Sequence, residues 1–176
     1  MSRMNDMTAA TDLVDTNHPR PAQEARAKKP FLPPRFIIRT AWAIHRLIYR
    51  GSRGRTGLSV PKGHDYGTLR LRSVGGRSGR ERSAILGYFL DGPNLVTLAM
   101  NGWGEPEPAW WLNLQAHPEA VVDLVDGPRD VVARAAIGKE RVRLWAQMSR
   151  GRFGSLDRWA ALRPRETAVV VFEPKP

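Results

Sequence analysis

SAILGYFLDGPNLVTLAM, residues 83–100, reads as two strands folded back on an Asp91-Gly92-Pro93 turn. Residues 83–90 and 94–100 are rich in apolar and β-branched side chains, and Asp-Gly-Pro is turn chemistry. The same device recurs in EAVVDLVDGPRDVVARAAI, residues 119–137, where Asp126-Gly127-Pro128 separates strands at 119–125 and 129–137. Upstream, GTLRLRSV (67–74) sets Leu69 and Leu71 against Arg70 and Arg72, the period of two of a half-exposed strand. ETAVVVFEP (166–174) is an apolar run, the pattern of a buried closing strand.

Helical spacing fills the gaps. PAWWLNLQAH (108–117) is a short helix ended by Pro118 and capped by His117, and KERVRLWAQMSRG (139–151) is a second, with Val142, Leu144, Trp145 and Met148 on one side. SLDRWAALR (155–163) is a third. The order after the N-terminal region is β-β-β-α-β-β-α-α-β. Six strands in mainly antiparallel pairs predict a small β-barrel with flanking helices.

The first 66 residues have a different character. Residues 1–30 carry few large apolar side chains and are expected to be a disordered tail. Residues 31–50 predict a helix started by Pro33-Pro34 and stopped near Gly51. At about 100° per residue, Arg35, Arg39, Arg46 and Arg50 fall within about 60° of arc. The remaining face holds Ile37, Ile38, Trp42, Leu47 and Ile48, so the helix either packs on the domain or lies on an anionic membrane surface. Residues 51–66 read as a Gly-rich basic loop, and residues 67–176 as the folded domain.

At 176 residues the chain suits one domain. The absence of cysteine excludes disulfides, thiolate nucleophiles and Cys-based metal sites, and fits a cytoplasmic location. No run reaches roughly 18 apolar residues, and the N-terminus lacks a signal-peptide core. The net charge of +11 calls for an anionic partner. Nucleic acid is not expected, because the arginines gather near glycines and on one helix face rather than among exposed aromatics.

Catalytic side chains are conspicuously missing. His18, His45, His64 and His117 show no zinc-ligand spacing. GGRSGR (75–80) is not the nucleophile elbow of serine hydrolases, since Arg80 stands where a glycine is needed. Any hard chemistry therefore belongs to a bound organic cofactor. Two segments suit one. SVGGRSGRERS (73–83) exposes backbone N–H groups between strands and adds Arg77, Arg80 and Arg82, the makings of an oxyanion site or else of an ordinary basic loop. LAMNGWGEPEPAWWLNL (98–114) runs from a strand end through a Gly-rich loop into a helix, where free N–H groups can meet a flat heterocycle and Trp110 or Trp111 can bound its face. Paired tryptophans serve equally as core.

Together, GGRSGRERSAILGYFLDG, LAMNGWGEPEPAWWLNLQAHPEAVVDL and VVARAAIGKERVRLWAQM resemble the deazaflavin-dependent nitroreductase and quinone reductase family over about residues 67–173. The W-x-x-N-L-x-A-H-P signature (Trp110, Asn113, Leu114, Ala116, His117, Pro118), with the Gly-Arg-Ser-Gly loop upstream, carries the likeness. The resemblance implies a split β-barrel that binds reduced coenzyme F-420, whose phosphodiester and oligoglutamate tail suit the basic surplus. It implies cofactor contacts at Gly76, Arg77 and Ser78, along the strand at Arg82, Ser83, Ala84, Ile85, Leu86 and Tyr88, at Leu98, Ala99, Met100 and Asn101, and on the helix at Ala109, Trp110, Trp111, Leu112 and Asn113. Adjacent helical residues diverge, so Trp110 is expected at the pocket and Trp111 in the barrel. The implied reaction is hydride transfer to a conjugated acceptor such as a quinone, enone or nitroarene. Alternatives are a flavin-mononucleotide or haem split barrel, and a carrier without catalysis. The chain departs from the family pattern at Ile85-Leu86-Gly87, which lacks proline, at Met100, where a hydroxylic residue is usual, and at Phe153, the nearby aromatic where tyrosines are usual.

Overall fold

The computed structural model describes residues 57–151 and 154–176. The expected tail, the helix at 31–50 and Phe153 lie outside the described residues. Six strands form a closed antiparallel barrel: β1 (Gly67–Val74), β2 (Glu81–Asp91), β3 (Asn94–Leu98), β4 (Glu119–Leu124), β5 (Gly127–Ala135) and β6 (Val169–Pro174). The order around it is β1-β2-β3-β6-β5-β4, and β1 closes on β4. Among the described residues three α-helices accompany it: α1 (Ala109–Ala116), α2 (Gly138–Ser149) and α3 (Leu156–Ala160).

Both expected hairpins form. In the first, Asp91 faces Asn94 across Gly92-Pro93, and Gly92 supplies the positive φ of 60° that the turn requires. In the second the turn moves by two residues. Leu124 faces Gly127, so Val125-Asp126 make the turn and Gly127, at φ 125°, begins β5.

Two other boundaries shift for visible reasons. β2 starts at Glu81 rather than Ser83, because Glu81 and Arg82 pair with Val74 and Ser73. β3 stops at Leu98 rather than Met100. Ala99 still donates to the Ala168 carbonyl at 2.9 Å, but the backbone then turns left-handed at Asn101 (φ 45°) and Trp103 (φ 63°) and leaves the sheet.

Burial explains the sequence patterns. One core lies within the barrel, among Leu69, Leu71, Leu86, Leu95, Val122, Val131, Val170 and Phe172; α1 inserts Trp111 and Leu114 into it. A second core lies where α2 and α3 cover β3 and β6, joining Leu144, Met148 and Leu156 to Val96, Val169 and Val171. β6 is covered on both sides, which is why it reads as continuous apolar residues instead of alternating. Gly87 has its own reason to lack a side chain: a Cβ there meets the Tyr66 ring at 2.9 Å. Tyr66 in turn packs edge-on against Phe89, with ring centroids 6.3 Å apart.

Candidate functional site

The connection from β1 to β2 is built by its glycines. Gly75 donates to the Arg80 carbonyl at 2.9 Å, and its own carbonyl accepts from Ser78 (3.1 Å) and Gly79 (2.8 Å). Gly79 takes φ 63°, which a side chain resists. The closed loop is laid on α1. Gly76 donates its N–H to Asn113 Oδ1 at 3.0 Å, and a Cβ on Gly76 sits 3.2 Å from that of Ala116. Glycine thus allows the backbone to approach the helix at the face carrying Asn113.

The arginines divide into two groups. Arg70 and Arg72 on β1 lie near Asp123, at 3.6 and 3.2 Å, and Arg72 also faces Glu81 at 3.8 Å. Arg77, Arg80 and Arg82 are exposed, and make no ion pair among the described residues. Three exposed cationic side chains therefore lie in or beside the loop that makes the Gly76–Asn113 contact. This suits a polyanionic ligand.

Beside the loop, β2 offers an open edge. Its ladder with β3 covers Phe89–Asp91, so Glu81–Tyr88 face no strand on that side among the described residues. The Thr97 hydroxyl donates to the Gly87 carbonyl at 2.7 Å and bridges the start of the split.

The β3–α1 connection forms the third part. Met100 is right-handed (φ −94°, ψ −16°) and Asn101 left-handed. That alternation turns successive N–H groups toward one point, a nest suited to an oxygen ligand. The Asn101 side-chain amide donates to the Pro106 carbonyl at 3.0 Å, closing the loop before α1. Pro108 precedes α1, and its carbonyl accepts from Trp111 and Leu112 at 3.0 and 3.2 Å.

These placements sort the expected site residues. Gly76, Asn113 and the exposed Arg77 and Ser78 lie together, with Arg82 and Ser83 exposed on the adjoining strand. Met100 and Asn101 occupy the left-handed turn with Leu98 and the fully buried Ala99 before it. Trp111 is 6% exposed and in the barrel core, whereas Trp110 is half-buried at its edge, the ring centroids 6.2 Å apart. Ala109 and Leu112 are exposed. Ala84 is half-buried, and Ile85, Leu86 and Tyr88 are buried. Burial raises the Tyr88 phenol pKa above its ordinary value, with the nearby Asp126 adding to the effect and Arg129 opposing it. That phenol stays protonated at neutral pH, and its charged neighbours are Asp126 on the β4–β5 turn and Arg129 at the start of β5.

Arg163 is a residue that sequence reasoning missed. It stands at the end of the helix expected over 155–163, is 6% exposed, and its guanidinium donates to the Ala99 and Gly104 carbonyls at 2.9 and 3.0 Å. Both carbonyls are distant in the chain, 59 and 64 residues away, so no local signal marks the contact.

Other features are structural. Asp91 receives two hydrogen bonds from Arg143 (2.7 and 2.9 Å), which hold its carboxyl below the ordinary pKa range. Arg134 does the same for Glu140, at 2.6 and 2.8 Å, and also reaches Glu173 at 2.8 Å. An open groove of about 520 Å³ between α2, α3 and residues 165–167 shares no residue with the parts above. No cluster of three metal-ligating side chains occurs among the described residues. Nor is any helix among them long and apolar enough to cross a membrane.

Residues 42–174 match the profile of the family described as F420H(2)-dependent quinone reductase. A protein of that description from Mycobacterium tuberculosis (strain H37Rv) is 31% identical over 86 residues, 49% of this chain and 55% of its own. The chain thus spans about half the length of that relative. Among solved structures, one described as a domain-swapped dimer aligns with a TM-score of 0.58 at 22% identity, covering 80% of this chain and 100% of its own. An F420-H2 dependent reductase aligns at 0.54 and 22%, covering 60% and 93%. These two likenesses identify the fold as a split β-barrel.

Proposed function

The chain belongs to the F420H(2)-dependent quinone reductase family, and from that premise we propose that it binds reduced coenzyme F-420 and reduces a quinone-type acceptor by hydride transfer. The observation that supports this most is the junction of Gly76 with Asn113 beside three exposed arginines that form no ion pair among the described residues. It joins the two segments of the family signature into one anion-ready surface. The residues present fit the coenzyme's chemistry, a flat ring with a polyanionic tail.

In this reading Arg77, Arg80 and Arg82 hold the phosphodiester and glutamate carboxylates by charge-assisted hydrogen bonds. Backbone N–H groups of Gly76 to Ser78 and the hydroxyls of Ser78 and Ser83 complete that end. The turn at Leu98–Asn101 and the first turn of α1, at Ala109 to Asn113, receive the ring. Trp110 shields it from water, and the buried Trp111 fixes the helix against the barrel. The chemistry the coenzyme supplies when bound is the hydride itself. The chain contributes alignment of ring and acceptor and a drier site, and needs no side-chain nucleophile.

Peripheral contact of residues 35–50 with an anionic bilayer belongs to the same proposal, because a lipid-dissolved quinone reaches the protein from that surface. Titration with reduced and oxidised coenzyme F-420 beside flavin mononucleotide, followed by anaerobic turnover of a water-soluble naphthoquinone, tests the reading. Preference for flavin mononucleotide, or binding without turnover, contradicts it.

A further inference from the structure

Among the described residues, the buried polar side chains are Ser73, Thr97, Arg163 and Thr167, and of these only Arg163 is charged. Its side chain has no solvent exposure. Taking a guanidinium out of water costs several kcal/mol unless its donors are well used. Here every nitrogen has a partner. Nη1 donates to the Ala99 carbonyl at 2.9 Å and to the Thr167 hydroxyl at 2.7 Å, and Nε donates to the Gly104 carbonyl at 3.0 Å. Nη2 faces the Glu107 carboxylate at 3.5 Å.

Three of those four partners belong to the β3–α1 connection. Ala99 and Gly104 bracket a stretch in which Asn101, Gly102 and Trp103 all take positive φ (45°, 60° and 63°). Left-handed backbone strains a non-glycine residue, so such a turn persists only when its surroundings over-determine it. Both restraints come from the C-terminal segment: Arg163 grips the two flanking carbonyls, and Trp159 stacks on the Trp103 ring at 6.4 Å. The forked, planar guanidinium can bridge two carbonyls at once, which the single ammonium of lysine does poorly.

We infer that Arg163 is a positioning residue for the deazaflavin site: by fixing the Ala99 and Gly104 carbonyls it sets the backbone of Leu98–Asn101. The inference rests on the proposed function, which assigns that segment to the coenzyme ring. Being fully buried, Arg163 acts through this backbone and does not touch the ligand.

The test uses the full chain and two variants. Arg163→Lys keeps the charge and loses the fork; Thr167→Val keeps the shape and removes one acceptor of the guanidinium. Amide hydrogen exchange without coenzyme reads the turn directly. Faster exchange confined to peptides covering residues 99–108 is expected, with the barrel strands unchanged. Binding is then compared for reduced coenzyme F-420 and for its ring fragment lacking the phosphodiester and glutamates. Arg163→Lys should weaken both by the same factor, about tenfold, the equivalent of one or two hydrogen bonds. Arg77→Ala should weaken the complete coenzyme alone.

Unchanged exchange at 99–108, or exchange raised throughout the barrel with ring affinity intact, overturns the inference. If Arg163→Lys fails to fold, Thr167→Val carries the same two comparisons, with a smaller shift expected and the same results overturning it. Wild-type protein that binds neither ligand sinks the proposed function and this inference together. Wild-type protein that binds both, matched by variants that bind equally well, sinks the inference alone.

Discussion

Gly76 and Asn113 are 37 residues apart in sequence and joined by a 3.0 Å hydrogen bond from the glycine N–H to the asparagine Oδ1. The bond depends on close approach, since a Cβ on Gly76 lies 3.2 Å from the Ala116 methyl. Gly76→Ala should therefore push the loop from α1, costing about 1–3 kcal/mol of stability, as overpacking does, and weakening coenzyme binding. Gly79→Ala makes the control: its Cβ meets nothing within 4 Å, and the strain comes only from φ 63°. Equal coenzyme affinity in the two variants, measured by fluorescence titration, contradicts a role for the junction.

The two tryptophans of α1 should separate by phenotype. Trp111 is in the barrel core, so Trp111→Ala is expected to lower stability by about 3–5 kcal/mol. Trp110 is half-buried at the edge, so Trp110→Ala should chiefly impair coenzyme binding or turnover. Urea unfolding and steady-state kinetics on both variants check this. The reverse pattern assigns the pocket to the other face.

Acid should weaken the fold through Asp91 and Glu140. Hydrogen bonds from Arg143 and Arg134 hold both carboxyls below their ordinary pKa values. They therefore bind protons less readily folded than unfolded. Their contribution is fully present above the ordinary carboxylate range and is lost as pH falls through the depressed folded values, below about pH 4. Asp91→Asn and Glu140→Gln should each reduce stability at neutral pH and flatten the acid limb. Parallel urea-midpoint curves for wild type and variants contradict the assignment.

Arg35, Arg39, Arg46 and Arg50 form one stripe in the sequence pattern, with Trp42 and isoleucines opposite. Basic residues near an anionic bilayer contribute about 1 kcal/mol each. Full-length protein should therefore sediment with anionic vesicles at low ionic strength, and deletion of residues 1–50 should abolish this while leaving coenzyme affinity unchanged. Failure of the full-length chain to sediment rules out the membrane proposal.

Most of the barrel was legible because its signals are local. Alternation in 67–74, the two Asp-Gly-Pro turns and the continuous apolar run before Pro174 each act within a few residues. Boundaries moved where pairing or backbone handedness intervened, as at Glu81 and Leu98. The Gly-Arg-Ser-Gly loop and the helix signature were also readable, though only the fold brings Gly76 onto Asn113. Two features were hidden for a common reason. Tyr66 packs against Gly87, and Arg163 bonds carbonyls 59 and 64 residues away, so their neighbours are set by topology alone. The positive φ of Trp103 is likewise imposed from outside, since nothing about tryptophan favours it.

We propose that the Gly76–Asn113 junction and its arginines bind reduced coenzyme F-420. The most direct measurement is a fluorescence titration of wild type and Arg77→Ala with the reduced coenzyme, at low and at moderate salt. Saturable binding that weakens with salt, preference over flavin mononucleotide, and a loss of about 1.5–3 kcal/mol in the variant, the range for a hydrogen bond to a charged group, are expected. Wild-type and Arg77→Ala curves that superimpose at low salt, or the absence of binding by the wild type, contradict it.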